Sequence, residues 1–270
     1  MSSVLGILIN GRRASTVRAT NRGLAYGDGL FETVGIRGSR LTLWEEHYRR
    51  LVRGGEVLGI EIPAAQVLER ELRRVCGKVE DAVGKIIVTR GEGGRGYLPP
   101  DNAEPERLVM AFPWPQVPAA WYTRGVRVRV CKQRVTEQPA LAGLKHLNRL
   151  DSVLARNEWR SSRIAEGLML DGAGHVIEGT ASNLLAVFDG ELVTPKLDRC
   201  GVAGAMRAWL MANYAVREVR LKVDDLCKVQ AAAMCNSIHG VWPIRAIDGI
   251  GSLDVNIIKQ KIHRLPWSKG

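Results

Sequence analysis

Three prolines within the eleven residues FPWPQVPAAWY, Phe112 to Tyr122, constrain this chain more than any other feature. A proline ring has no amide hydrogen and holds φ near about −65°, so neither a helix interior nor a central strand can pass through such a stretch. We therefore expect a linker over 113–122 between an N-terminal domain, 1–112, and a C-terminal domain, 123–270. With 46% hydrophobic residues, each piece is long and apolar enough to bury a core.

Local patterns on both sides mix strands with helices. LGILINGRRA reads as a strand and turn, and RLTLWEEHYRRLVRGGEVLGI contains a helix capped near Thr42. GKIIVTRG and RLVMAFP are apolar runs of strand length. After the linker, GVRVRVCKQRV alternates with period two, which predicts a half-exposed strand. GLKHLNRLDSVLAR, Gly143 to Arg156, predicts a helix whose Leu147, Leu150, Val153 and Leu154 form an apolar stripe. NLLAVFDGELVTP predicts a hairpin turning at Asp189-Gly190, a helix follows over 204–214, and AAAMCNSIHGVWPIRAIDG ends in short strands. Strands and helices that do not alternate strictly favour an α+β class over a doubly wound sheet.

The formal charge of +11 suits nucleic acid, an anionic membrane or a small acidic substrate. The arginines are scattered, and no recognition helix, zinc finger or aromatic-plus-basic motif accompanies them, so we expect a small anionic substrate and no nucleic-acid partner. No run of eighteen apolar residues is present, and the opening MSSVLGILINGRRAS has no charged region ahead of its apolar patch. A cytoplasmic protein without a membrane partner is expected. Cys76, Cys131, Cys200, Cys227 and Cys235 lie far apart, with no histidine at ligand spacing, which predicts reduced thiols and no metal site. The basic tail KQKIHRLPWSKG is expected to fray or lie on the surface.

Several short stretches carry chemistry-bearing side chains. Lys145 precedes an apolar run; a lysine held there and desolvated becomes a nucleophile or base, while a solvated one is only a charge. YGDGLFET, Tyr26 to Thr33, sets a turn before an apolar strand. In HYRRL an inward-turned Arg50 could clamp a phosphate bidentately. RGEGGRGYLPP is a flexible loop, either exposed or reading a carboxylate through its guanidiniums and phenol. HVIEGTASNLL puts Glu178 at the end of a strand, as a held carboxylate or a surface acid. Ser182 has no G-x-S-x-G frame, which excludes a hydrolase triad. RCGVAGAMR opens a helix whose free N–H groups at Gly204, Ala205 and Met206 form an anion site. MCNSIHG adds Asn236 and Ser237 as small hydrogen-bonding residues.

Taken together and in order, YGDGLFET, H-x-x-R-L at His47 to Leu51, the lysine with Asn148 three residues on, EGTASNLL and GVAGAMR resemble the fold-type-IV pyridoxal-phosphate enzymes. That family includes the branched-chain and D-amino-acid aminotransferases and 4-amino-4-deoxychorismate lyase, and the likeness runs through nearly the whole chain. It implies a two-domain α+β architecture of the D-amino-acid aminotransferase kind, with pyridoxal 5′-phosphate held as a Schiff base on Lys145. It implies phosphate contacts from Arg50, Ala205, Met206 and Ser237, with Asn236 beside it, and a Glu178 carboxylate at the pyridine nitrogen. The likeness also implies a homodimer.

KHLNRL and RGEGGRGY most resemble the aminodeoxychorismate lyases, which make 4-aminobenzoate and pyruvate for folate synthesis. Arg149 stands where branched-chain aminotransferases have tyrosine, which argues against simple branched-chain transamination. Arg95, Tyr97, Phe31 and Arg149 are then expected to face a substrate bearing two carboxylates. A D-amino-acid or branched-chain aminotransferase of the same fold is the alternative.

Overall fold

The structure is a computed structural model that describes residues 4–267. The chain forms two compact units, one of 4–116 with Leu144–Asn148, the other of Val117–Gly143 with 149–267. In chain order the first holds β1 (Gly6–Ile9), α1 (Arg22–Tyr26), β2 (Gly29–Arg37), β3 (Arg40–Leu41), α2 (Trp44–Leu58), α3 (Ala65–Cys76), β4 (Ala82–Thr89) and β5 (Glu106–Pro113). The second begins with α4 (Ala120–Thr123), β6 (Val126–Arg134), α5 (Leu150–Arg156), β7 (Glu166–Leu170), β8 (Val176–Gly179), β9 (Asn183–Phe188) and β10 (Glu191–Pro195). It continues with α6 (Ala205–Asn213), β11 (Val216–Val219), β12 (Ala231–Asn236), β13 (Gly240–Ile247), β14 (Gly251–Ser252) and α7 (Val255–Lys261). Helices and strands share both units, which is the α+β class expected.

The first unit's sheet runs β1-β5-β4-β2-β3, with antiparallel pairs throughout. Leu30, Val34 and Ile36 of β2 and Ile86 and Val88 of β4 are buried with Leu51 of α2 and with Leu68, Leu72 and Val75 of α3. That α3 spacing of four and three residues is one helix face. Two adjacent glycines let α2 approach closely: a Cβ on Gly54 would fall 2.7 Å from a Leu30 methyl, and one on Gly55 2.6 Å from the Ile60 carbonyl oxygen. The helix is not capped at Thr42. Its hydroxyl donates to the Gly35 carbonyl at 3.0 Å, and the cap residue is Leu43 in the left-handed region.

The second unit's sheet is mixed, in the order β11-β10-β9-β12-β13-β6-β7-β8 with β14 on β13. The pairs β6–β7, β6–β13 and β10–β11 are parallel and the rest antiparallel. Val128, Leu168, Leu184, Met234, Trp242 and Ile244 lie in its core. The β9–β10 hairpin turns at Asp189 and Gly190, at φ of 51° and 78°, the pair of positive angles that such a two-residue turn requires. The tail is tied as far as it is described: the Tyr214 hydroxyl donates to the Arg264 carbonyl and accepts from the Arg264 amide. Residues 268–270 lie outside the described residues.

The compact units divide between Gln116 and Val117, with β5 ending at Pro113 and α4 starting at Ala120. One expectation is corrected at Gly143–Arg156, of which only Leu150–Arg156 is α-helical. Residues 144–148 are not helical and join the first unit rather than the C-terminal one: the Phe31 amide donates to the Lys145 carbonyl at 2.9 Å and the Leu147 amide to the Gly29 carbonyl at 3.0 Å. The reason is an open edge. β3 pairs with β2 only at Ile36 and Arg37, so the start of β2 has backbone groups to satisfy, and this segment satisfies them. Leu147 leaves the stripe, and on α5 Leu150, Val153 and Leu154 stay exposed at 75%, 52% and 53%.

No helix among the described residues is long and apolar enough to cross a membrane.

Candidate functional site

In the first unit Lys145 is fixed by its backbone pairing with Phe31, and its Nζ lies 4.4 Å from the centre of the Phe31 ring. A cation over an aromatic face is attracted by the ring's quadrupole, which holds the amine in one place. The neighbouring motif supports this placement. Gly27 sits at φ 67°, and a Cβ there would come 2.2 Å from Asn148 Oδ1, so the glycine of YGDG admits the asparagine of KHLN.

Arg50 turns inward onto Glu32, donating from Nε to Oε1 at 2.8 Å and from Nη2 to Oε2 at 2.5 Å. His47 Nδ1 lies 2.6 Å from Glu32 Oε2, and both side chains are 1% exposed. Burial alone would raise the Glu32 pKa, but the Arg50 charge and the His47 hydrogen bond prevail and hold it down to about 2. His47 is driven the other way: burial lowers its pKa against the Glu32 contact, and the Arg50 and Lys145 charges lower it further. The imidazole is therefore neutral, donates from Nδ1 to an ionised acceptor, and leaves Nε2 as a buried nitrogen without a hydrogen-bond partner. Glu32 was not anticipated as a site residue. The signal was its place between Leu30 and Val34, at alternate positions on the buried face of β2.

The loop 90–99 is rooted rather than free. Arg90 donates to Asp28 and to the Leu58 and Gly59 carbonyls, and Arg22, 3% exposed, bonds Asp28 and the Gly96 and Tyr97 carbonyls. Burial would raise the Asp28 pKa, yet the two guanidiniums lower it. Beyond that root Arg95 is exposed, Tyr97 is 85% exposed and Leu98 89%.

In the second unit Glu178 is a buried carboxylate one residue before the end of β8. Its Oε2 accepts from the Val202 amide at 2.9 Å and faces Asn183 Nδ2 at 3.5 Å. The turn after it is built on a residue the motif reading missed. Buried Glu166 accepts from the Gly167, Thr180 and Ala181 amides and from the Thr180 and Ser182 hydroxyls. Ser182 is thus spent on a structural carboxylate, which fits the absence of a nucleophile frame. No spacing rule links Glu166 to a turn fourteen residues on, so only the strand pairing of β7 with β8 reveals it.

Gly204 caps α6, with Ala205 and Met206 buried in its first turn, where helix geometry supplies the amides of the opening residues with no acceptor. Arg149 caps α5; burial lowers its pKa, opposed by the charges of Glu178 and Asp151. Asn236 closes the β12–β13 turn, its Oδ1 accepting from the Ile238 and His239 amides while Nδ2 donates to the Ala181 carbonyl. Ser237 lies half-buried in that turn. The structure thus brings Phe31 and Lys145 together in the first unit and Arg149 and Glu178 in the second.

The pattern of the family described as amino-transferase class IV matches residues 29–247. The chain is 35% identical over 244 residues to the aminodeoxychorismate lyase of Vibrio harveyi, covering 88% of this chain and 90% of that one. It is 27% identical over 254 residues to the branched-chain-amino-acid aminotransferase of Escherichia coli, covering 87% and 81%. Among solved structures, the 4-amino-4-deoxychorismate lyase of Pseudomonas aeruginosa superposes with a TM-score of 0.88 at 43% identity, covering 97% of this chain and 100% of that one. The Escherichia coli branched-chain aminotransferase superposes at 0.83 with 23% identity over 95% and 93%, which speaks for the shared fold alone. The fold-type-IV architecture implied by the motifs is therefore present, and the chain belongs to the class IV amino-transferase family.

Proposed function

We propose that this protein is a pyridoxal-phosphate-dependent aminodeoxychorismate lyase, a carbon–oxygen lyase that converts 4-amino-4-deoxychorismate to 4-aminobenzoate and pyruvate in folate synthesis. The observation that carries the reading is the immobilised Lys145 amine on Phe31, in a chain 43% identical to a lyase of that name over nearly its whole length.

The donor set suits the cofactor. An aldehyde needs a primary amine, a phosphate needs a cation and N–H donors, and a pyridine nitrogen needs a carboxylate. Lys145, Arg50 with the first turn of α6, and buried Glu178 match these needs in turn. When bound, the group supplies a ring that accepts the charge left behind as a proton leaves the substrate carbon bearing nitrogen. In this reading Lys145 Nζ would hold the cofactor and, once the substrate amine displaces it, take that proton; the ring carbon–oxygen bond breaks, and Lys145 or a nearby acid protonates the departing enolpyruvyl methylene carbon to give pyruvate. Glu178, fixed by the Val202 amide, keeps a proton at the pyridine nitrogen. Arg50, Ala205, Met206 and Ser237 bind phosphate, with Asn236 shaping the turn around Ser237. Phe31, Arg95, Tyr97 and Arg149 orient a dicarboxylate substrate, the guanidiniums bidentately. The net charge of +11 favours such an anion. The protein is proposed to be a cytoplasmic homodimer, supported by the exposed leucines and valine of α5.

The test couples the protein to an aminodeoxychorismate-forming enzyme and follows 4-aminobenzoate. Lys145→Ala is expected to lose nearly all activity while keeping its circular dichroism, and borohydride is expected to fix the cofactor on the peptide containing Lys145. A label on another lysine would overturn the reading. The second reading, an aminotransferase, is favoured by the 27% identity to the branched-chain enzymes. Rapid turnover of an amino acid with 2-oxoglutarate, without release of 4-aminobenzoate, would establish it instead.

A further inference from the structure

We propose that Asn183 is a positioning residue that couples Glu178 to the N-terminus of α6, so that one carboxamide sets the two protein groups at opposite ends of the cofactor. The inference rests on the pyridoxal-phosphate reading above, but its geometry lies wholly within the second unit. Asn183 is 4% exposed, and its side chain meets three partners at once. Nδ2 donates to the Val202 carbonyl at 2.9 Å and faces Glu178 Oε2 at 3.5 Å, while Oδ1 accepts from the Gly204 amide at 3.1 Å.

Only an amide of this length serves both sides. A carboxylate would set an acceptor against Glu178 and the Val202 carbonyl, and a hydroxyl would be too short to span them. Gly204, the cap residue of α6, makes no side-chain bond to the first-turn amides, and Asn183 instead anchors the cap residue's own amide from across the unit. The amides of the next residues are thereby left pointing along the helix axis for an anion.

Two further features hold Asn183 where it is. Its backbone begins β9 opposite Cys235, and the turn before it is clamped by the Glu166 carboxylate, which bonds Thr180, Ala181 and Ser182. On the other side, a Cβ on Gly204 would fall 2.0 Å from Asn183 Oδ1. The asparagine fits because the helix cap is glycine. Gly204 has φ −61°, so an alanine there meets no backbone strain and its whole effect is to push on the amide.

The coupling makes a phosphate-end change legible at the ring end. Wild type, Gly204→Ala, Asn183→Ala and the double variant are loaded with pyridoxal phosphate. The cofactor dissociation constant and the pH midpoint of the visible absorption band are measured for each, with melting temperature as the control for a merely structural effect. Gly204→Ala is expected to weaken cofactor binding about tenfold and to move the midpoint by about half a pH unit or more, although it lies at the phosphate end. Asn183→Ala is expected to do the same, and the double variant to be no worse than Asn183→Ala, because the added methyl has lost its target. Should Asn183→Ala not fold, Asn183→Asp keeps the shape and, by placing negative charge beside Glu178, moves the midpoint upward.

A midpoint unchanged in Gly204→Ala, strictly additive effects, or a lowered melting temperature with an unaltered spectrum would each overturn the coupling. Failure of the functional reading looks different. Wild-type protein would then take up no cofactor, or borohydride would fix it away from Lys145.

Discussion

Replacing Glu32 by glutamine isolates the buried triad that holds Arg50. The carboxylate accepts from two Arg50 nitrogens and from His47 Nδ1, and at 1% exposure no water can substitute. Its pKa falls from 4.5 to about 2, a difference worth about 3 kcal/mol of folding free energy, since each unit corresponds to about 1.4 kcal/mol. The sign follows from the depressed value. The stabilisation is fully present above pH 4.5, where the unfolded chain is already ionised, and is lost as pH falls through 4.5 towards about 2. Glutamine offers one acceptor oxygen to three donors and leaves the Arg50 charge uncompensated, so Glu32→Gln should be about 3 kcal/mol less stable at neutral pH. The gap should close as pH falls from 4.5 to about 2. Hydrogen exchange on peptides covering β2 and β4, expressed as opening free energy and corrected for intrinsic rates, reads this unit specifically. A gap that stayed constant across the acid range would refute the assignment of that stability to the Glu32 charge.

Glu166→Gln should weaken the second unit by about 2–3 kcal/mol in urea unfolding, since five donors lose a charged acceptor; an unchanged midpoint would contradict the clamp. Gly167→Ala should cost about 1–3 kcal/mol, because its Cβ would come 2.4 Å from Cys131 Sγ and 2.8 Å from the Trp159 ring. A variant as stable as wild type would mean that the contact between β7 and these side chains yields easily. Leu150→Glu with Leu154→Glu should convert a dimer to monomers in sedimentation, and wild-type protein that sediments as a monomer at micromolar concentration would remove the homodimer.

Much of the molecule was legible from local rules. The strand runs in GKIIVTRG and RLVMAFP became β4 and β5, and Asp189-Gly190 made its hairpin. Each of these depends on residues close in sequence, on φ restriction or on a period of two. The motifs around Lys145, Glu178 and α6 were likewise readable, because the side chains in each are only a few positions apart.

What escaped was every feature decided by a distant partner. The apolar spacing of Leu147, Leu150, Val153 and Leu154 has helical period, yet the first residues of the segment were captured by the open edge of β2, more than a hundred residues earlier. Thr42 looked like a cap, but its hydroxyl found the Gly35 carbonyl first. No motif singled out Glu32 or Glu166, because folding alone surrounds each with its donors.

The amino-acid order by itself determined the strands β4 and β5, the Asp189-Gly190 turn and which reactive side chains the chain carries. Tertiary structure alone decided which carboxylates are buried and answered, and that the Lys145 stretch bonds to β2 instead of forming a helix. The physical reason is that a buried polar group is tolerable only when matched, and its match arrives from elsewhere in the chain.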